Sequence, residues 1–422
     1  MRSVVALVFA AGLSAQSPVP APPQALPERV TIEQSVSEAV EHNLSLLAER
    51  YNLSVADARI ITARLRPNPV FSAALDYIDI LRSFNPDNQG GPTEWNFRTD
   101  FLLERGGKRA RRIEVAQGVS EVAKLQLLNT TRTLVLDVQN AFIDVLQAKD
   151  NVALARENLQ AFEGIVNVNQ TRVRAGDLSK VELVRTQVAA LQFQSAVRQA
   201  EAKLRIAANR LQGLMGRAAV SANFDVDGGL RRDTAPITLD TLQSQALELR
   251  PDILALRRDQ ARSQAELRSQ IAQGKVDFTL GTEYHRQFHN GNASALGLFF
   301  QAPLPLFNHN QGEIERARQE ERQAEARIKA QQSAIETEVR NAWVQYNTSR
   351  DLLEGIEHGL LEQAKDVRDT MEYSYRRGEA SLVEFLDAQR AFNDARQSHN
   401  DARADYARSL YTIDSISGRG VK

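Results

Sequence analysis

Residues 31–50, TIEQSVSEAVEHNLSLLAER, and residues 238–259, TLDTLQSQALELRPDILALRRD, read as two copies of one segment. At an offset of 207, Thr31/Thr238, Ser37/Ser244, Ala39/Ala246, Glu41/Glu248, Leu47/Leu254, Ala48/Ala255 and Arg50/Arg257 coincide, and the offset still holds at Phe71/Phe278 and Tyr77/Tyr284. A second block, RVRAGDLSKVELVRTQVAA (172–190) over SYRRGEASLVEFLDAQRAF (374–392), aligns at an offset of 202. It pairs Gly176/Gly378, Val181/Val383, Glu182/Glu384, Gln187/Gln389 and Ala189/Ala391. The chain is therefore two halves with one order of elements, and a repeat of this length fixes the fold reading before any local motif does. The period is far too long for a solenoid.

Each half reads helix, hairpin, long helix, turn, helix. In the first half Thr31 and Gln34 make a capping box, and a helix runs from there to about Arg66, ahead of Pro67 and Pro69. A helical pattern then runs from Gly106-Gly107 to about Arg174, Gly176 breaks it, and a further helix runs from about Leu178 to Met215. The second half predicts helices near 239–273, 310–376 and 380–416, with the break at Gly378. Proline placement agrees. All thirteen prolines lie within 18–92, 236–251 and 303–305, leaving 93–235 and 306–422 without one. Proline breaks helix interiors, so stretches of that length without it suggest helices of about 100 Å at 1.5 Å per residue.

Between the helices lie four segments of alternating polarity, near 70–80, 95–103, 276–286 and 294–303. Phe71, Ala73, Leu75 and Tyr77 share a face, as do Trp95, Phe97, Phe101 and Leu103; Phe278, Leu280 and Tyr284; and Leu296, Leu298 and Phe300. Strict alternation means strands with one apolar face. Strands of about nine or ten residues match an outer-membrane span. Four strands cannot close a membrane barrel alone, because a bilayer tolerates no open edge. Two chains would give a barrel filled by side chains, and three would give twelve strands around a lumen.

The chain has 422 residues, 25% of them charged, a formal net charge of -1 and no cysteine. Near-neutral charge argues against nucleic-acid binding. Absence of cysteine excludes disulfides, thiolate metal sites, a cysteine nucleophile and a lipid-bearing N-terminal cysteine. Arg2, the apolar run Val4–Leu13 and Ser14-Ala15 describe a secretory signal peptide over 1–15, followed by a proline-rich linker over 16–29. The remaining organisation is a first repeat over 30–215 with its hairpin at 70–103, a linker over 216–237, and a second repeat over 238–418 with its hairpin at 276–303. His285 and His289 read as solvated histidines near a hairpin end. No HExxH, GxSxG or P-loop pattern is present, and nothing points to an enzyme or a cofactor.

The stretches GGKRARRIEVA (106–116), PLPLFNHNQGEIERA (303–317) and DARADYARSLYTIDSISG (401–418), with the paired turns already quoted, make the chain similar to the TolC family of outer-membrane channels. The GGKR and LFNxNQG stretches are most like its heavy-metal-resistance (CzcC-like) branch. The resemblance spans both halves, about 30–418. It implies a mainly α protomer with membrane β-structure, forming a homotrimer whose twelve-stranded β-barrel in outer-membrane lipid continues into a periplasmic α-helical barrel. The implied function is a passive exit duct for metal cations or drugs in a tripartite efflux system, with a periplasmic adaptor (membrane fusion protein) and an inner-membrane pump of RND type. A type I protein-secretion outlet uses the same fold. A periplasmic coiled-coil scaffold without a channel is the rival from another class; a plain diffusion porin has no need of such long helices.

Particular residues acquire roles only through this resemblance. The turns Gly176-Asp177-Leu178 and Gly378-Glu379-Ala380-Ser381-Leu382 would be periplasmic tips that contact the adaptor. Glu384 and Asp387 match the carboxylate rings at the tunnel constriction, and in a trimer such rings favour cations. Tyr375, Glu182 and Arg185 match or supplement the network that closes the tunnel. The family's arginine two residues after the glycine is Ala380 here, which leaves Arg376, Arg377 or Arg185 to take its place.

Overall fold

The computed structural model describes residues 28–76, 94–233, 237–287 and 293–419. The expected signal peptide, nearly all of the proline-rich linker, Tyr77 and His289 lie outside the described residues. The first repeat comprises β1 (Arg29–Val30), α1 (Ile32–His42), α2 (Leu44–Arg64), β2 (Val70–Asp76), β3 (Glu94–Leu103), α3 (Lys108–Ala175) and α4 (Lys180–Leu214). Next come β4 (Asp225–Val226), α5 (Leu239–Leu249), α6 (Pro251–Gln273), β5 (Phe278–Gln287), β6 (Ser294–Gln301) and α7 (Gln311–Gly355). One π-helical turn, Ile356–Leu360, joins α7 to α8 (Leu361–Arg377), and α9 (Leu382–Ile416) closes the series.

Three expectations need correction. The helix expected from Thr31 to about Arg66 is two helices, because Asn43 leaves the helical region and caps α2 through Leu46 N–H. The helix expected near 239–273 likewise breaks at Arg250, since the following Pro251 disfavours a helical residue before it. The 216–237 segment and the end of the leading linker are not merely connecting chain: Arg29–Val30 pairs in parallel with Asp225–Val226. Two-residue strands carry no periodicity that a sequence could reveal. The capping box of Thr31 and Gln34 is formed.

The duplication extends to atomic detail. Arg50 donates to the Val40 carbonyl at 2.7 Å, and Arg257 donates to the Leu247 carbonyl at 3.2 Å. Gly216 and Gly418 both adopt left-handed backbone (φ 79° and 77°). A Cβ on Gly216 would stand 2.3 Å from the His42 carbonyl oxygen, and one on Gly418 would stand 3.0 Å from Leu249. Each repeat thereby closes α4 or α9 against its own short first helix, and only glycine supplies both the dihedral and the space. Two equivalent cores result. One gathers Ala39, Leu46, Val138, Phe142 and Leu211 from α1, α2, α3 and α4. The other gathers Ala246, Ile253, Val339, Tyr346 and Leu410 from α5, α6, α7 and α9.

The four long strands form one antiparallel sheet in the order β2-β3-β5-β6. The central pairing, β3 with β5, joins the two repeats through ten residue pairs from Glu94↔Gln287 to Leu103↔Phe278. β2 and β6 are the outer strands. No described helix is long and apolar enough to cross a membrane.

Candidate functional site

The residues singled out by the sequence fall in two regions: the sheet and the helix-hairpin tip. Register sorts the sheet into two faces. Phe71, Leu75, Trp95, Phe97, Phe101, Leu103, Leu280, Leu296, Leu298 and Phe300 lie on one. In an isolated chain Leu298 is 92% and Leu296 85% exposed, so no helix covers this face. The opposite face carries Asp76, Glu94, Asn96, Arg98, Asp100, Glu283, His285 and Gln287. These side chains are mutually bonded: Asn96 donates to Glu283 at 2.6 Å, Gln287 donates to Glu94 at 2.9 Å, and Arg98 donates to Asp100 at 2.8 Å. The Arg98 guanidinium also sits 3.6 Å from the Phe299 ring centroid. A soluble sheet would turn its apolar face to the helices; this one presents it outward.

His285 corrects the expectation of a solvated loop histidine. It lies within β5, paired with Asn96, with Nε2 3.3 Å from the Glu94 carboxylate and Nδ1 3.9 Å from that of Glu283. Its two nitrogens face two different carboxylates, which is not a chelating geometry. Among the described residues no three His, Cys, Asp or Glu side chains gather as a metal site.

At the other end, α3 meets α4 and α8 meets α9 in two matching turns. Gly176 (φ 87°) and Gly378 (φ 82°) end the preceding helices. Asp177 N–H reaches the Arg172 carbonyl and Glu379 N–H the Ser374 carbonyl, both at 2.9 Å. This is the Schellman arrangement. Ser179 and Ser381 then cap the returning helices through the N–H groups of Glu182 and Glu384. Leu178, Ala380 and Leu382 complete the turns, with Leu382 buried.

The two repeats diverge in how they use the acid three residues on. Glu384 folds back, accepting from Ser381 N–H at 2.7 Å and Ser381 Oγ at 2.8 Å. These bonds hold its carboxyl below the usual carboxylate range. Glu182 instead pairs with Arg185 at 3.2 Å. Asp387 is exposed and pairs with Arg390 at 3.5 Å, an interaction worth at most ~1 kcal/mol in water. Arg376 pairs with Glu372 and Arg377 reaches Glu379.

Tyr375 is buried, and its hydroxyl accepts from Asn169 Nδ2 at 2.6 Å. The same amide nitrogen donates to Thr186 Oγ1 at 2.8 Å, and Thr186 in turn donates to the Glu182 carbonyl. One polar knot thus ties α8, α3 and α4. It is wrapped in rings: Tyr375 stacks on Phe385 (5.6 Å, 12°) and Phe385 on Phe162 (6.1 Å, 15°). Of the expected gate residues, the structure brings Tyr375 and the Glu182 backbone into this knot. Within a protomer Glu384 and Asp387 stay on the exposed face of α9. Asn169, Thr186, Phe162 and Phe385 were not anticipated. Their signal was present, since Phe162, Ile165 and Asn169 fall at i, i+3, i+7 with a polar residue on the core-facing stripe.

Comparison with known proteins identifies the family. The chain is 26% identical over 405 residues to the cobalt-zinc-cadmium resistance protein CzcC of Cupriavidus metallidurans, covering 96% of this chain and 93% of that protein. It is 23% identical to the pyoverdine export outer membrane protein OpmQ of Pseudomonas putida, covering 89% and 85%. Its fold resembles the CmeC outer membrane channel of Campylobacter jejuni, with a TM-score of 0.78 at 15% identity over 93% of this chain and 86% of that one. The outer membrane efflux protein family matches twice, over residues 35–217 and 242–419, once per repeat. The chain belongs to that family: it is an outer-membrane efflux channel protein of TolC type, not an enzyme.

Proposed function

We propose that three copies of this chain form a passive exit duct for divalent metal cations, coupled through a periplasmic adaptor to an RND-type inner-membrane pump. The observation that carries the reading is the two-faced sheet. Its apolar face needs lipid, its polar face needs water, and its outer strands β2 and β6 need partners. Three sheets joined edge to edge meet all three needs with twelve strands and a lumen. Members of the family form trimeric channels that work with efflux pumps. The helices favour the same assembly. Val181, Val184, Val188 and Leu191 form an exposed stripe on α4, and Leu44, Leu47, Tyr51 and Val55 form one on α2. These three- and four-residue spacings suit a neighbouring helix.

In this reading the turns at Gly176–Leu178 and Gly378–Leu382 receive the adaptor. The Asn169–Tyr375–Thr186 knot holds the tunnel end closed, and Glu384 and Asp387 from three chains line its constriction. The similarity to a cobalt-zinc-cadmium resistance protein supports a metal cargo. The pump supplies energy and selection. Two experiments test the proposal. Purified protein run without boiling and after cross-linking should give a trimer that heating dissociates; a monomer free of detergent would overturn the channel. A deletion strain challenged separately with zinc, cobalt, cadmium, copper and organic drugs should lose tolerance to the divalent metals. Loss of drug tolerance alone would reassign the cargo, and loss of a secreted protein would favour the secretion outlet.

A further inference from the structure

The periplasmic edge of the outward sheet face carries a set of cations that the protein itself does not neutralise. Leu103 is the last apolar residue of β3 on that face, and Arg105 follows two residues later, the spacing that keeps a strand's side chain on the same side. The Arg105 guanidinium turns back over the ring of Phe278, 4.3 Å from its centroid. Phe278 pairs with Leu103 and so belongs to the same apolar face. Arg105 therefore sits at the lower margin of the lipid-facing band, with its guanidinium stacked on an aromatic ring.

Its neighbours extend the patch. Arg109, in the first turn of α3, donates from Nε to the Arg64 carbonyl at 2.7 Å, which draws Arg64 at the end of α2, and Arg66 just beyond it, beside α3. All four arginines are exposed. The acids that could neutralise them are already used. Glu104 is taken by Arg112, Asp277 by the buried Lys108 at 2.6 Å, and Glu114 by Arg111 and Arg268 at 2.9 and 2.5 Å. Among the described residues, no carboxylate lies within ion-pair distance of Arg64, Arg66, Arg105 or Arg109. A trimer would repeat the patch three times around the barrel.

We propose that this collar binds the phosphates of anionic phospholipids in the membrane leaflet that faces the periplasm. The inference rests on the orientation given above, strands in the membrane and helices in the periplasm. The headgroup layer is only ~5–7 Å deep on each side of the hydrocarbon, which is within reach of an arginine two residues below the band. A guanidinium fork matches phosphate oxygens in pairs. The other source of phosphate, lipopolysaccharide, belongs to the opposite leaflet, beyond the Asp76 and Glu94 ends of the strands.

The test uses the full trimer in detergent, titrated with phosphatidylglycerol, with phosphatidylethanolamine, with lipid A and with inorganic phosphate, read as a shift in Tm and as lipid retained in native mass spectra. Phosphatidylglycerol should raise Tm and remain bound, more weakly as salt rises; phosphatidylethanolamine should do so less, and inorganic phosphate not at all. Each basic side chain near an anionic surface contributes about fivefold in binding. The triple variant Arg66→Gln/Arg105→Gln/Arg109→Gln should therefore bind phosphatidylglycerol up to about a hundredfold more weakly while remaining a heat-dissociable trimer. Should that variant fail to assemble, Arg105→Lys alone serves, since it keeps charge but loses the paired donors and should weaken retention several-fold. Equal binding of phosphatidylglycerol by wild type and variants overturns the proposal, as does preference for lipid A. A wild-type trimer indifferent to phosphatidylglycerol refutes the collar and leaves the channel intact; a wild type that forms no trimer refutes the channel itself.

Discussion

Tyr375→Phe removes one oxygen from the tip and nothing else. The ring keeps its stacking on Phe385, so packing is conserved. The Asn169 amide loses the 2.6 Å bond to the hydroxyl and keeps only the bond to Thr186. Asn169 is fully buried, so bulk solvent does not reach the amide to replace the loss. Losing a partner from a buried polar group costs ~1–3 kcal/mol. If the knot holds the tunnel closed, that energy leaves the closed state and the open-to-closed ratio rises about fivefold to 150-fold. Single-channel recording in planar bilayers reads this directly as longer or more frequent high-conductance openings. Asn169→Ala also loses the bond to Thr186 and should open the tunnel at least as much; the double variant should add little to Asn169→Ala, since both singles break the Asn169–Tyr375 bond. Overall stability should barely change, because the two large cores lie elsewhere. Wild-type gating in a folded Tyr375→Phe trimer would refute the latch.

Further outcomes follow from other parts of the chain. Lys108→Met leaves the partly exposed Asp277 carboxylate with only the Arg105 N–H, and losing this charged partner should cost ~1–3 kcal/mol; Tm should fall, and Lys108→Met/Asp277→Leu should recover most of it. Leu298→Arg places a charge in the middle of the lipid face and should cost ~2–4 kcal/mol of membrane assembly, visible as lost trimer on unheated gels. Burial alone would push the Asp252 carboxyl up, but the hydrogen bond and charge of Arg250 outweigh it and hold it below the usual range. Asp252 therefore contributes stability above the ordinary carboxylate pKa that is lost as pH falls through its folded value. Urea unfolding should show an acid-side drop near and below pH ~4 that Asp252→Asn flattens.

The fold was largely legible because its signals are long. A duplication spanning both halves, two proline-free stretches and four alternating segments each repeat a cue many times, so single errors average out. What escaped depends on one or two residues. Asn43 ends a helix without a proline or glycine to announce it, through a side-chain cap on Leu46. β1 and β4 are two residues each. The tip was half legible. Gly176, Gly378 and the serines after them mark turns by residue type. The knot behind them joins residues 169, 186 and 375, and no local pattern connects an asparagine to a tyrosine 206 positions away. Glu384 shows the converse difficulty, since a carboxylate three residues after Ser381 is both a capping-box acid and a match to a gate ring.

The distribution of packing along the tunnel explains why the tip should govern opening. Between the two large cores and the tip, α3 and α9 meet through polar side chains: Gln147 donates to Asp401 at 2.6 Å, Asn400 to Asn151 at 3.1 Å and Gln389 to Asn158 at 3.1 Å. A cleft of about 560 Å³ lies over this stretch, lined by Asn151, Asn158, Asn393 and Gln397 among others. Once wetted as the helices part, these amides trade each other for water at a net cost of only ~1 kcal/mol each. Such a seam sets register but resists separation weakly. The aromatic cluster of Phe162, Phe385 and Tyr375 cannot make that trade, because burying each ring is worth about 1.5–3 kcal/mol and water offers no substitute. Resistance to parting the lower helices is thus concentrated in the ends of α3, α8 and α9 that flank the two turns. It follows that Phe385→Ala should open the tunnel more than Gln389→Ala, although both side chains are buried in the same helix.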